Sequence, residues 1–177
     1  AGLVAGRGIA DGLGIDGTGQ VDARVEGAQA LGLDPDLPTL LVTGGSLGAQ
    51  HLNEVLSESL HSLPTGLQVL HLTGKDKDAP VRAALEAAVA SGAAQDLAER
   101  YHVLDYLTTM EDALAVADLV VCRSGAGTVA EMEALGLPCI YVPLPIGNGE
   151  QRLNAADHVA AGGAQLVDDK DFTADFV

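Results

Sequence analysis

Aromatic side chains are scarce in this sequence: it has no Trp, three Tyr and two Phe. A hydrophobic core must therefore be assembled from Leu, Val, Ala and Ile. Basic residues are scarce too, with 9 Lys and Arg against 25 Asp and Glu, a formal net charge of −16. That balance excludes a general basic field for nucleic acid or anionic lipid. It leaves room for a small anionic ligand held by helix N-termini and one or two arginines. A high-GC coding bias accounts for much of the composition. Only two cysteines occur, Cys122 and Cys139. Both end apolar strand-like runs, which predicts buried free thiols rather than a disulfide or metal pair. His51, His61, His71, His102 and His158 show no ligand spacing, so no metal site is expected. No Ser-His-Asp arrangement emerges from position. No run is long and apolar enough to span a membrane and no signal peptide is visible, so the expected compartment is the cytoplasm. The first residue is Ala, which suggests a fragment.

What remains is abundant Gly and a regular alternation of apolar runs with helical spacing. The 177 residues suffice for one domain with a real core. Residues 1–20 are rich in Gly and Ala and lack a period, and 1–32 reads as a linker or remnant of a preceding domain. A short helix is expected over Val21 to Leu31. Strands are expected at Thr39 to Thr43, Leu67 to Thr73, Tyr101 to Leu104, Leu119 to Cys122, Pro138 to Val142 and Ala164 to Val167. Helices fall between them, at Ala49 to Leu63, Pro80 to Ser91, Thr109 to Val116, Thr128 to Leu135 and Gly149 to Ala161. In the first of these, Leu52, Val55, Leu56 and Leu60 share a face. The pattern predicts an α/β, Rossmann-like parallel sheet with helices on both faces.

Two glycine-rich turns stand at strand ends, where ligands sit in such sheets. The first is Thr43-Gly44-Gly45-Ser46-Leu47-Gly48-Ala49. The second is Arg123-Ser124-Gly125-Ala126-Gly127-Thr128, which opens a helix carrying Glu131. Helix N-termini present converging N–H groups and partial positive charge to an anion. Two such turns point to a nucleotide diphosphate, with Glu131 placed to accept from ribose hydroxyls. Arg123 reads either as a phosphate contact or as a residue that ties down its loop.

The motifs Gly44 to Ala49 followed by Leu52-Asn53, then Cys122 to Glu131, then Gly136-Leu137-Pro138, then Pro143 to Ala155, resemble the MurG family. These are UDP-N-acetylglucosamine transferases that make lipid II in peptidoglycan synthesis. The last stretch is similar to the actinobacterial form. The resemblance covers about Leu33 to Val177 and matches only the C-terminal, donor-binding half of a two-domain GT-B glycosyltransferase, so 33–177 reads as a UDP-sugar-binding domain. It implies that Gly45, Ser46, Leu47 and Gly48 face the diphosphate. Ala126, Gly127 and Thr128 would close on phosphate and sugar, and Glu131 on the ribose. Tyr106, Leu107 and Met110 match the segment lining the uracil pocket. Glu150 and Gln151 match the pair that reads the sugar hydroxyls.

The resemblance also implies no cofactor beyond the substrate UDP-N-acetylglucosamine, and no metal. Catalytic residues and the lipid I acceptor site belong to the N-terminal domain. Peripheral membrane association, at the cytoplasmic face, is expected only of the intact enzyme. The family's arginine-containing segment before the first donor-domain strand has no counterpart here except Arg7, and its long C-terminal helix does not appear before Val177. Three alternatives stay open. A dinucleotide-binding domain would need Gly-x-Gly-x-x-Gly, and Thr43 stands where the first Gly belongs. Another UDP-sugar enzyme, epimerase-like or macrolide-type, would keep the fold and change the chemistry. A non-catalytic sugar-nucleotide-binding fragment would keep only the binding.

Overall fold

The computed structural model describes residues 17–45, 50–92 and 94–177. The expectations placed on residues 1–16, Arg7 among them, lie outside the described residues, as do those on Ser46, Leu47 and Gly48. In chain order the elements are α1 (Gly17–Leu31), β1 (Thr39–Thr43), α2 (Gln50–Glu58), β2 (Gln68–Leu72), α3 (Asp78–Ala90), α4 (Leu97–Arg100) and β3 (Tyr101–Leu104). There follow α5 (Met110–Val116), β4 (Leu119–Cys122), α6 (Ala126–Leu135), β5 (Cys139–Tyr141), α7 (Glu150–Asn154), α8 (Ala156–Ala160) and β6 (Ala164–Leu166).

The strands form one parallel sheet in the order β3-β2-β1-β4-β5-β6. Alternate residues of each strand feed opposite faces. Leu40, Val42, Val69, Val103 and Val121 join Leu52, Val55 and Leu56 of α2 and Val81 of α3 on one face. Leu41, Leu70, Val120 and Tyr141 join Ala28 of α1, Ala113 and Leu114 of α5, and Val129 and Met132 of α6 on the other. The helices that follow β1 and β4 therefore pack on opposite faces of the sheet.

The predicted strands all form, within a residue or two of their expected ends. The differences lie among the helices. α1 begins at Gly17 and packs along α5. A Cβ on Gly27 would sit 2.6 Å from the Asp112 carbonyl oxygen, so this close approach requires glycine. Arg24 fastens α1 to the sheet's base by donating to the carbonyls of Pro35, Val116 and Leu37, and it pairs with Asp118 at 2.9 Å. α2 ends at Glu58 rather than near Leu63: Ser59 turns its hydroxyl back onto the Val55 carbonyl, and the chain continues as turns that still bury Leu60 and Leu63. α4 is too short to carry a period in sequence. The helix expected over Gly149 to Ala161 is two helices, with buried Ala155 at the corner between them.

One polar network lies inside the first core. The Asn53 amide donates to the Thr73 carbonyl at 3.0 Å, which aims its Oδ1 at His71. His71 Nε2 must then donate to that Oδ1, at 2.8 Å, and Nδ1 accepts from the Tyr101 hydroxyl, also at 2.8 Å. Burial pushes the His71 imidazole down to about 4 from its ordinary 6.5. Burial likewise pushes the Tyr101 phenol up. His71 is thus neutral when folded but protonates below its ordinary pKa when unfolded. Its contribution is complete above pH 6.5 and lost as pH falls toward 4, a swing of about 3 kcal/mol. In urea denaturation from pH 7 to pH 4, His71→Gln should lower stability at pH 7 and flatten this part of the pH dependence. An unchanged slope would assign the acid sensitivity to other groups.

Candidate functional site

The strand order reverses between β1 and β4, the place where open α/β sheets form a crevice beyond their carboxyl ends. Thr43 pairs with Cys122 in register, so the two glycine loops leave the sheet side by side at one level. Gly44 is buried and Gly45 is exposed, with a left-handed φ of 68° that favours glycine.

The second loop enters α6 through Gly125, an extended residue with no side-chain cap. The first N–H to find an acceptor within the helix turn is that of Val129, on the Gly125 carbonyl. The N–H groups of Ala126, Gly127 and Thr128 precede it. Ala126 and Gly127 are exposed and Thr128 is half-buried. A Cβ on Gly125 or Gly127 would meet nothing within 4 Å, so packing does not demand glycine at either place. What Gly127 provides is open space over the helix N-terminus. Glu131 lies on the exposed surface of the same helix.

Tyr106, Leu107 and Met110 lie on the connection from β3 into α5. Leu107 and Met110 pack on the core face that also holds α6, while Tyr106 is 67% exposed. Glu150 opens α7 and is exposed. Gln151 is half committed: its Oε1 accepts the Leu144 N–H at 2.9 Å, which leaves its NH₂ as the outward-facing donor.

Arg123 is buried. It donates to the carbonyls of Val142, at 3.2 Å, and Pro143, at 3.4 Å, and forms an ion pair with Asp169. Both cysteines are buried free thiols. The neighbouring Cys139 thiol and burial hold Cys122 well above its ordinary pKa, so it is a poor nucleophile.

Two residues that sequence reasoning left without roles join the site's halves. The Asn154 amide of α7 donates to the Ser124 carbonyl at 3.1 Å, linking α7 to the glycine turn before α6. Ser124 is fully buried and its Oγ has no hydrogen-bond partner among the described residues. Asn154 stands inside the Pro143 to Ala155 motif, which was its signal. Ser124 had only its place beside Gly125.

A cavity of about 670 Å³ lies at the opposite, amino end of the strands, lined in part by Leu33, Asp34, Gln68, Arg100 and His102. Gln68 is paired there with Asp34 and Thr39, and Arg100 with Asp96 and the Leu67 carbonyl, while His102 Nε2 is buried with no partner among the described residues. The α6 N–H groups that have no acceptor within the helix, and the exposed Glu131, are at the switch point. Among the described residues, no group of three His, Cys, Asp or Glu is placed to hold a metal ion, and no helix is long and apolar enough to cross a membrane.

The model of the glycosyltransferase family 28 C-terminal domain matches residues 39–177. The UDP-N-acetylglucosamine–N-acetylmuramyl-(pentapeptide) pyrophosphoryl-undecaprenol N-acetylglucosamine transferase of Bifidobacterium longum is 50% identical over 167 residues, covering 91% of this chain and 42% of that protein. The enzyme of the same name from Streptomyces coelicolor is 47% identical, covering 88% of this chain and 40% of that protein. Both relatives are actinobacterial. The crystal structure of Acinetobacter baumannii MurG superimposes with a TM-score of 0.69 at 30% identity, over 89% of this chain and 42% of the other. The chain thus spans about two fifths of the length of these relatives. With a reversed sheet order, paired glycine loops and a family match across nearly all of the sheet, this chain belongs to the glycosyltransferase family 28 C-terminal domain family.

Proposed function

We propose that the chain is the donor-binding half of a transferase that moves N-acetylglucosamine from UDP-N-acetylglucosamine to lipid I, forming lipid II. The observation that carries this reading is the uncapped N-terminus of α6, opening beside the β1 loop at the switch point. In this reading the diphosphate lies between Gly45 to Gly48 and the N–H groups of Ala126 to Thr128. Glu131 takes the ribose, and Tyr106, Leu107 and Met110 border the uracil. Glu150 and the outward NH₂ of Gln151 meet the sugar. Arg123 serves the site through its loop.

The reaction is a direct displacement at the anomeric carbon. The bond to the UDP oxygen breaks as the acceptor hydroxyl attacks. Negative charge builds on the departing diphosphate, where backbone amides and the α6 dipole stabilise it. This assigns charge stabilisation to the protein backbone, with neither metal nor cofactor. The acceptor and the base that deprotonates it belong to the other domain of the intact enzyme, which works at the cytoplasmic face of the membrane. Isothermal titration with UDP-N-acetylglucosamine, UDP-glucose and NAD tests the ligand class. A preference for NAD would replace this reading with a dinucleotide-binding one.

Glu131→Ala should weaken UDP binding by about 1.5–3 kcal/mol, the worth of a hydrogen bond to a charged group. Unchanged affinity in a folded variant would remove Glu131 from the ribose. Glu150→Ala should weaken UDP-N-acetylglucosamine more than UDP, and equal losses would place its effect on the nucleotide or the fold. Incubated with donor and a lipid I analogue, the chain by itself should form no lipid II. Without an aligned acceptor it forgoes a proximity contribution worth about 7–11 kcal/mol of barrier. Product formation at the intact enzyme's rate would show that the catalytic groups reside in this half.

A further inference from the structure

The segment after β6 gathers connections from three strands. Asp169 receives the Arg123 guanidinium on its carboxylate. Its backbone carbonyl accepts from His51 Nε2 at 2.8 Å, and the Phe172 carbonyl accepts from the same nitrogen at 3.0 Å. Carbonyls only accept, so His51 carries its proton on Nε2. Arg123 follows β4 and also holds the chain leaving β5 at Val142 and Pro143. His51 sits in the first turn of α2, the helix reached from β1. Phe172 is buried in the first core and roots the segment there. Asp169 is thus the residue at which the start of α2 and the loops after β4 and β5 are joined, and the proposed ligand roles do not include it.

We propose that Asp169 is a positioning residue for the crevice between β1 and β4. By joining His51 to Arg123 it sets the separation of the crevice walls, which a nucleoside diphosphate has to span and a nucleoside does not. This rests on the nucleotide site proposed above. Uridine needs Glu131 of α6 and the Tyr106 to Met110 connection, whereas UDP needs in addition the two loops that face each other across the crevice. A residue that served only stability would leave the affinities of the folded protein alone, or lower both together. A positioning residue changes their ratio.

The test is titration of the 177-residue chain with uridine and with UDP, followed by amide chemical shifts. Asp169→Ala should weaken UDP about tenfold while uridine changes by less than about twofold, as for an indirect loss of one charge-assisted hydrogen bond. His51→Ala cuts the other attachment without stranding a buried charge, and should shift the ratio the same way. Asp169→Asn keeps an acceptor for Arg123 and should restore part of the UDP affinity. Equal losses for both ligands, or UDP binding that is unchanged or tighter in the folded variants, would overturn the proposal. If Asp169→Ala does not fold, His51→Ala decides. A wild-type chain that binds neither ligand overturns the site assignment and this inference together. A wild-type chain that binds UDP while the variants keep its ratio to uridine overturns this inference alone.

Discussion

The parallel pairing of β1 with β4 is the constraint on which the rest of this structure depends. Chain order runs outward from β1 through β2 to β3 and then has to return to β1's free side to place β4. Right-handed crossovers then put the helix after β1 on one face and the helix after β4 on the other. Helices that diverge from adjacent strands leave a crevice beyond the strand ends. A crevice follows from connectivity alone. What the local sequence adds is its chemistry: glycine where backbone has to stand open, an uncapped helix start, and a carboxylate on the same helix.

A core so poor in aromatic rings uses the few it has in polar pairs. Tyr101 and Tyr141 are both strand residues with hydroxyls bonded to histidines, His71 and His158. Each pair ties a strand to the layer around it. In the first, the network continues through Asn53 into α2 and ends on the Thr73 carbonyl at the exit of β2. In the second, it reaches α8. Burial raises both phenols, so these hydroxyls remain donors throughout the ordinary pH range. Aliphatic packing fills the core, while these bonds fix which helix lies over which strand.

The strands and their order of appearance were legible because apolar runs bounded by Gly, Pro and Asp carry a clear period. The glycine loops and Glu131 were legible as a motif in its strand-turn-helix setting. The helices were harder to read. The break at Ala155 had no marker, because Glu150 to Ala161 contains neither Gly nor Pro; it arises where Gln151 bonds to the preceding loop at Leu144 and Asn154 to the distant Ser124. α4 was too short to show periodicity. The ion pair between Arg123 and Asp169 joins residues 46 apart, and nothing in a single sequence marks such a partnership. In sequence Arg123 read more readily as a tie for its loop than as a ligand contact, but its partner could not be named.

Among the described helices, α7 is attached in an unusual way. It buries no side chain, and its Leu153 is 73% exposed. Gln151, Asn154 and the Arg152–Asp168 ion pair hold it in place. Each of these can be exchanged for water at small net cost. Shifting α7 would uncover almost no apolar surface, and heat capacity tracks apolar surface. Adjustment of this helix around a bound sugar would therefore leave little trace in the temperature dependence of the binding enthalpy, even where it changes the enthalpy itself.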